Sequence, residues 1–179
     1  MRKIFSPGKG FHVPDATKVF PLINCQDPAS RLPGDPLEEF SLAAGEIEPA
    51  QHSKIHIMPL VTQVTFVLQG KLEVWMKDAD QLEPYSLRLE EEQAILTRPG
   101  TFLQFRNNTT ALCRVLYMVS PAYLYLIEEG KMLYDDSVVL DEDWEDLGKI
   151  NWKPAKLRSL DSIRKDRRAA KEHFCRQAR

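Results

Sequence analysis

The sequence predicts an all-β chain that closes into a barrel or sandwich. Apolar and polar residues alternate with period two in short runs through the middle of the chain. Glycine, proline and acidic turns separate those runs at regular spacing, and no helical periodicity occurs before about residue 140. Closure also removes the exposed edges that so many short strands would otherwise present.

Val19–Ile23 is the first short apolar run, ended by a polar stretch through Asp35 and Pro36. Glu39–Ala44 is the second, ended by Gly45. In Lys54–Met58, Ile55 and Ile57 face one way while Lys54, His56 and Met58 face the other, and Pro59 breaks the ladder. In Gln63–Gln69, Val64, Phe66 and Leu68 share one face and Gln63, Thr65 and Val67 the other. Gly70 then supplies a tight turn or bulge with positive φ, and Lys71–Met76 continues with Leu72, Val74 and Met76 on one side. Tyr85–Leu89, Gln93–Leu96 and Thr101–Phe105 are further strands, divided by an acidic turn and by Arg98-Pro99-Gly100. Ala111–Ser120 is the most apolar strand, and Pro121 ends its pairing. The C-terminal part differs. Asp141–Leu147 suits one or two helical turns. From Ser159 onward the chain is helix-compatible, with Ser159 or Ser162 as N-cap. Leu160, Ile163, Ala170 and Phe174 form a weak apolar stripe interrupted by Arg167, which suits a helix docked on the barrel or on a partner subunit.

A chain of 179 residues, 43% hydrophobic and 28% charged, fits one domain with a real core. Twelve prolines against eight glycines favour turns over long helices. No apolar run is long enough to span a membrane, and the basic N-terminus lacks the apolar core of a secretory signal. Cys25, Cys113 and Cys175 are odd in number and far apart, with no CxxC, so neither a disulfide framework nor a four-cysteine zinc site is expected. Reduced cysteines and a cytoplasmic location follow as the expectation. Cys113 lies in an apolar run and reads as core rather than nucleophile.

Residues 153–179 carry ten Lys and Arg against three Asp and Glu, leaving 14 basic and 23 acidic residues in the body. An acidic body with a basic tail suits a solvated helix, or one clasping its own barrel. Without interleaved aromatics or a docking motif, nucleic-acid binding is the weaker expectation. The divisions expected are an N-terminal arm with short strands over 1–38, a barrel core over 39–123, a strand and turn segment closing the barrel over 124–152, and a basic helical tail over 153–179.

The segment from Gly45 to Gly70 resembles the first motif of the cupin superfamily: glycine, a spacer, His-x-His, three or four residues, glutamate, six residues, glycine. Gly70 fits the closing glycine, Gln63 stands at the glutamate, Phe66 at the usual aromatic, Met58 at the second histidine and His56 at the first. Arg98-Pro99-Gly100 through Leu103 and Asn107 is similar to the second motif, with Leu103 at its metal histidine. Ser120-Pro121-Ala122-Tyr123 is similar to what many small cupins carry after the last barrel strand. The resemblance covers roughly residues 40 to 123. It implies a double-stranded β-helix (jelly-roll) barrel with a short α-helical C-terminal extension, a small-molecule ligand in the barrel mouth, and a homodimer.

The same resemblance implies a metal site, for which Fe, Mn, Ni or Zn are the expected divalent ions. His56 alone keeps its place. Gln63 offers a neutral carbonyl, Met58 a soft thioether, and Leu103 no donor; His52, of the same strand parity, completes a candidate His52, His56, Gln63 cluster. Two chemistries stay open. One is a metal-assisted dioxygenase, isomerase or related reaction. The other is metal-free acid–base catalysis by His56, whose imidazole ordinarily titrates near neutrality. Lys54 or Arg114 would then steady a carboxylate or enolate, and Gln63, Met58, Leu103 and Arg114 would contact the substrate. Arg114 has a second reading, as a rim residue paired to a carboxylate. His12 and His173 read as surface residues. The alternative function is a non-catalytic ligand sensor or structural dimeric barrel.

Overall fold

The computed structural model describes residues 4–24, 26, 39–78, 80–81, 83–129, 131–140, 143–149 and 159–177. Among these the strands are β1 (Phe11–His12), β2 (Lys18–Ile23), β3 (Ser41–Ile47), β4 (His56–Ile57), β5 (Thr62–Gln69), β6 (Leu72–Lys77), β7 (Tyr85–Leu89), β8 (Ala94–Thr97), β9 (Phe102–Arg106), β10 (Cys113–Ser120), β11 (Tyr125–Glu128), β12 (Lys131–Asp135) and β13 (Val138–Val139). The helices are α1 (Trp144–Lys149) and α2 (Leu160–Gln177). One sheet runs β1-β2-β3-β10-β5-β8 and a second β13-β4-β9-β6-β7, with β11-β12 as a separate hairpin; all pairings are antiparallel. Two such sheets make the expected all-β jelly roll.

The main core lies between the two larger sheets. From the first come Val67, Val115, Tyr117 and Val119; from the second come Leu72, Val74, Met76, Leu103 and Phe105. Every second residue of β10, from Cys113 to Val119, is buried, as period two requires. In β5 the buried face is Gln63, Thr65 and Val67, while Val64, Phe66 and Leu68 face outward. The more apolar face of that strand therefore points away from the barrel.

Both faces of the His56 segment are buried. His56 and Met58 face the barrel, and Ile55 and Ile57 pack outward against Phe102, Leu140, Trp144 and Leu147. α1 is thus a lid on the second sheet's outer face. The expected strand over Lys54–Met58 shrinks to two residues because the flanking backbone is bonded elsewhere. Lys54 N–H donates to Asp15 O (2.7 Å), Leu140 N–H to Ile55 O (2.8 Å) and Gly100 N–H to Met58 O (3.0 Å).

Gly45 does not end its strand, as expected from sequence, but sits inside β3. A Cβ there would lie 2.3 Å from Cε2 of Tyr117, so the glycine admits that ring against the sheet. Gly70 does make the turn between β5 and β6, with φ 84°. Of the expected N-terminal arm, β1 and β2 are part of the first sheet. Ser159 caps α2, its Oγ accepting from Ser162 N–H. The thiols of Cys25 and Cys175, the side chain of His173 and residues 150–158 lie outside the described residues. No helix among the described residues is long and apolar enough to cross a membrane.

Candidate active site

A cavity of about 90 Å³ opens between the sheets, walled by the N-terminal arm, β3, the His56 segment, β5, β9, β10 and residues 123–125 at the start of β11. His56, Met58 and Gln63, all proposed from sequence, line it together. Sequence reasoning missed Asp15, Thr17, Tyr117 and the aromatics Phe11, Tyr123 and Tyr125, which line it too.

His56 is 4% exposed. Its Nδ1 lies 3.0 Å from the carbonyl oxygen of Lys54 and 3.3 Å from Oδ2 of Asp15. A carbonyl oxygen can only accept, so Nδ1 carries a proton and donates, and when the ring is neutral its lone pair is on Nε2. The ring also lies against Phe105, tilted by 57° with ring centres 5.9 Å apart. Asp15 sits in the tight turn between β1 and β2, where Ala16 has φ 73°. Its Oδ1 accepts from Thr17 N–H at 2.8 Å, an Asx turn that leaves Oδ2 for the histidine. The only sequence signal was Pro14-Asp15, an ordinary turn dipeptide.

Two hydroxyls lining the cavity, Thr17 Oγ1 and Tyr117 OH, are buried without a hydrogen-bond partner. Each such orphan costs about 1–3 kcal/mol. Burial, reinforced by the nearby charge of Asp15, holds the Tyr117 hydroxyl well above the usual phenol range, so it stays protonated. Burial and Asp135 do the same for Tyr123, whose hydroxyl donates to Asp135 Oδ1. Gln63 is turned toward the protein, its Nε2 donating to Thr65 Oγ1 (3.0 Å).

The remaining sequence candidates are not brought to this cavity. The side chain of Lys54 is exposed because the chain there lies outside the ladder, and its part in the site is the carbonyl that holds His56. His52 is exposed on the other side of the second sheet, with Nδ1 3.3 Å from Nε2 of Gln104, which in turn bonds Trp144 through its Oε1. The expected His52, His56, Gln63 cluster is therefore not assembled. Leu103 is fully buried in the core. Arg114 is exposed on the outer face of β10 and pairs with Glu46 at 3.9 Å.

The donor set does not fit a divalent transition metal. Among the described residues no group of three His, Cys, Asp or Glu converges. His56 offers one lone pair and Gln63 a neutral carbonyl, while Met58 and Leu103 hold the other motif positions. Burial also lifts the Cys113 thiol to about 11, which leaves it protonated and unreactive.

No protein-family model and no curated protein matches the chain. Solved structures do. The Drosophila melanogaster CENP-C cupin domain aligns with TM-score 0.51 at 13% identity, over 63% of this chain and 72% of that one. Lactobacillus farciminis oxalate decarboxylase, in a formate complex, aligns with TM-score 0.53 at 14% identity, over 74% of this chain and 33% of that one. A recombinant oxalate oxidase in complex with glycolate aligns with TM-score 0.52 at 14% identity, over 68% and 59%. The chain thus spans less than two thirds of both enzymes. Two antiparallel sheets closed around His56, Met58 and Gln63, and the solved domains that superpose on them, establish that this chain has the cupin-superfamily fold.

Proposed function

We propose that this protein is a small-molecule-binding cupin whose pocket works by proton transfer at His56, without a transition metal. The observation that carries it is the fixed tautomer. Nδ1–H is committed to Lys54 O and Asp15, which leaves Nε2 as the ring nitrogen free to take and give a proton, in a cavity lined in part by Phe11, Tyr117 and Tyr125. A buried carboxylate behind an imidazole orients the ring and stabilises the imidazolium formed when Nε2 takes a proton. Lys54 and Arg114, both exposed away from the cavity, have no part in this chemistry. The test is a screen of small molecules by the imidazole NMR signals of His56, repeated with Ala43→Leu, which fills the cavity from β3. Ligands that shift those signals in the wild type and not in the variant support the pocket. Ligands that bind both equally, or none that shift His56, would remove it.

A second reading, a dimeric barrel, is favoured by the outer face of the first sheet. Cross-strand register aligns Phe20, Ala44, Leu116 and Phe66 in one row and Leu42, Met118, Val64 and Leu96 in the next. Leu96 is 53% and Met118 48% exposed. A two-fold axis would let this patch meet its own copy. Sedimentation of the wild type against Met118→Lys tests it: a dimer converted to monomer supports the face, and an unchanged dimer excludes it.

A further inference from the structure

We infer that the cavity takes a small uncharged alcohol, its hydroxyl donating to Nε2 of the neutral His56 ring and its carbon chain lying on the apolar wall. The inference rests on the small-molecule pocket proposed above and adds the chemistry of the ligand.

The first ground is the acceptor that the wall leaves open. Nδ1 of His56 is spent on Lys54 O and Asp15, while Nε2 makes no hydrogen bond among the described residues. Thr17 Oγ1 and Tyr117 OH are sealed in the wall; Nε2 is not one of those sealed atoms, and its ring lines the cavity. The bare nitrogen of a neutral imidazole can only accept, so the matching ligand atom is a donor. The second ground is that donors of the wall are used within the protein. Asn24 Nδ2 donates to Tyr123 O, Gln63 Nε2 to Thr65 Oγ1, and the hydroxyls of Tyr123 and Ser137 to Asp135. A ketone, an amide or an acid would bring a carbonyl oxygen to donors already engaged, whereas an alcohol satisfies Nε2 with its one O–H. The third ground is charge. No Lys or Arg is among the described residues lining the cavity; the carboxylate of Asp15 is. A carboxylate ligand would lose its water beside a like charge, with no cation to replace it. Both oxygens of Asp15 are already taken, by Thr17 N–H and by His56, so an ammonium would lose its water without a free partner. The last ground is size and wall. The cavity is about 90 Å³, with Val19, Val119, Phe105 and Met58 in its apolar wall. Since a cavity of roughly 150 Å³ holds benzene, this one suits about four or five non-hydrogen atoms.

The test is an NMR titration of the full chain at about pH 8, above the ordinary imidazole range. The probes are of equal size: butan-1-ol, its isomer 1-methoxypropane, propanoate and the butylammonium ion. The Met58 methyl signal reads occupancy of the cavity, and the ¹⁵N signal of His56 Nε2 reads the hydrogen bond. Butan-1-ol is expected to bind about tenfold more tightly than the ether or either ion. It should also move the Nε2 signal upfield as the lone pair accepts. His56→Phe keeps a ring in the wall and should bring butan-1-ol down to the ether's affinity. The ether equalling butan-1-ol, or butan-1-ol moving Met58 while Nε2 stays in place, would overturn donation to His56 and leave the pocket standing. Either ion binding as tightly as butan-1-ol would overturn the choice of an uncharged ligand. A free-protein spectrum with both His56 nitrogens protonated at this pH would overturn the acceptor. If no probe moves Met58, the pocket falls, and this inference with it. The comparison on the wild type decides these outcomes even if the variant does not fold.

Discussion

Oδ2 of Asp15 and Nδ1 of His56 stand 3.3 Å apart, joining the N-terminal turn to the barrel segment that the cupin motif marks. Both side chains are more than nine-tenths buried. The first prediction follows from this contact. In Asp15→Asn, Oδ1 can still accept from Thr17 N–H, but an amide NH₂ then faces the Nδ1–H of His56. Two donors would confront each other. We expect a loss of about 1–2 kcal/mol of stability by urea denaturation. We also expect the His56 ring, seen by long-range ¹H–¹⁵N correlation, to lose its uniform Nδ1–H tautomer. A spectrum unchanged from the wild type would show that Lys54 O alone sets the tautomer.

The second prediction concerns Gly45. A methyl group there would sit 2.3 Å from Cε2 of Tyr117 and 2.9 Å from its Cζ. Tyr117 is held from the other side by Phe105, at 5.7 Å between ring centres. Gly45→Ala should therefore destabilise by about 1–3 kcal/mol through overpacking. Adding Tyr117→Val should return part of that loss, because the smaller side chain clears the new methyl. Additive losses in the double variant would place the strain elsewhere.

How far the sequence reached is visible in these same residues. Period-two alternation located β5, β6, β7 and β10 within a residue or two at most ends. It could not say which face turned inward. In β5 the answer ran against hydrophobicity, because Gln63 and Thr65 face the barrel interior and Val64 and Phe66 form an outer apolar row. The motif register placed His56 inward, and α1 provides the second layer that buries Ile55 and Ile57. Parity failed for His52 and Lys54 because alternation holds only while the ladder continues, and it runs for two residues there. Asp15 was not legible at all. Its role depends on an irregular turn meeting a segment some forty residues away, and Pro14-Asp15 by itself predicts only the turn.

The third prediction tests how α2 is held. Nε of Arg167 lies 3.0 and 3.2 Å from the two carboxylate oxygens of Asp136, and its Nη2 donates to Ala122 O. The Asp136 side chain is 1% exposed and that of Arg167 19%. The arginine that interrupts the helix's apolar stripe is therefore its anchor. Removing one member of a buried pair costs about 3–5 kcal/mol, and the partial exposure of Arg167 places Arg167→Ala toward or below the lower end. Asp136→Asn in the Arg167→Ala background should restore part of the loss, since it removes the uncompensated charge, keeps one oxygen to accept from Leu124 N–H and offers an amide NH₂ to the oxygen of Tyr134 OH. Amide exchange along α2 would rise in Arg167→Ala if the helix leaves the β11-β12 hairpin, and would stay protected if other contacts hold it.

The last prediction is a pH dependence carried by Asp135. Burial raises its carboxyl above the ordinary 3.8, more than the hydrogen bonds from Ser137 and Tyr123 lower it, and the neighbouring Asp136 adds to the rise. The folded chain therefore binds this proton more tightly than the unfolded chain. The resulting stabilisation is complete below pH 3.8, where both states are protonated, and is lost as pH rises through the folded value. Each unit of that rise corresponds to about 1.4 kcal/mol. Asp135→Asn keeps an acceptor for Tyr123 OH and for Ser137 N–H and Oγ but cannot ionise. Urea denaturation at pH 4 to 8 should then show the wild type losing ground to the variant as pH increases. The crossing marks where the buried charge outweighs the unsatisfied amide that replaces Oδ2, an atom with no partner in the native fold. A wild-type-to-variant difference that stays flat across that range would mean that Asp135 titrates alike in both states, and that the Tyr123–Asp135–Ser137 cluster is held by hydrogen bonding alone.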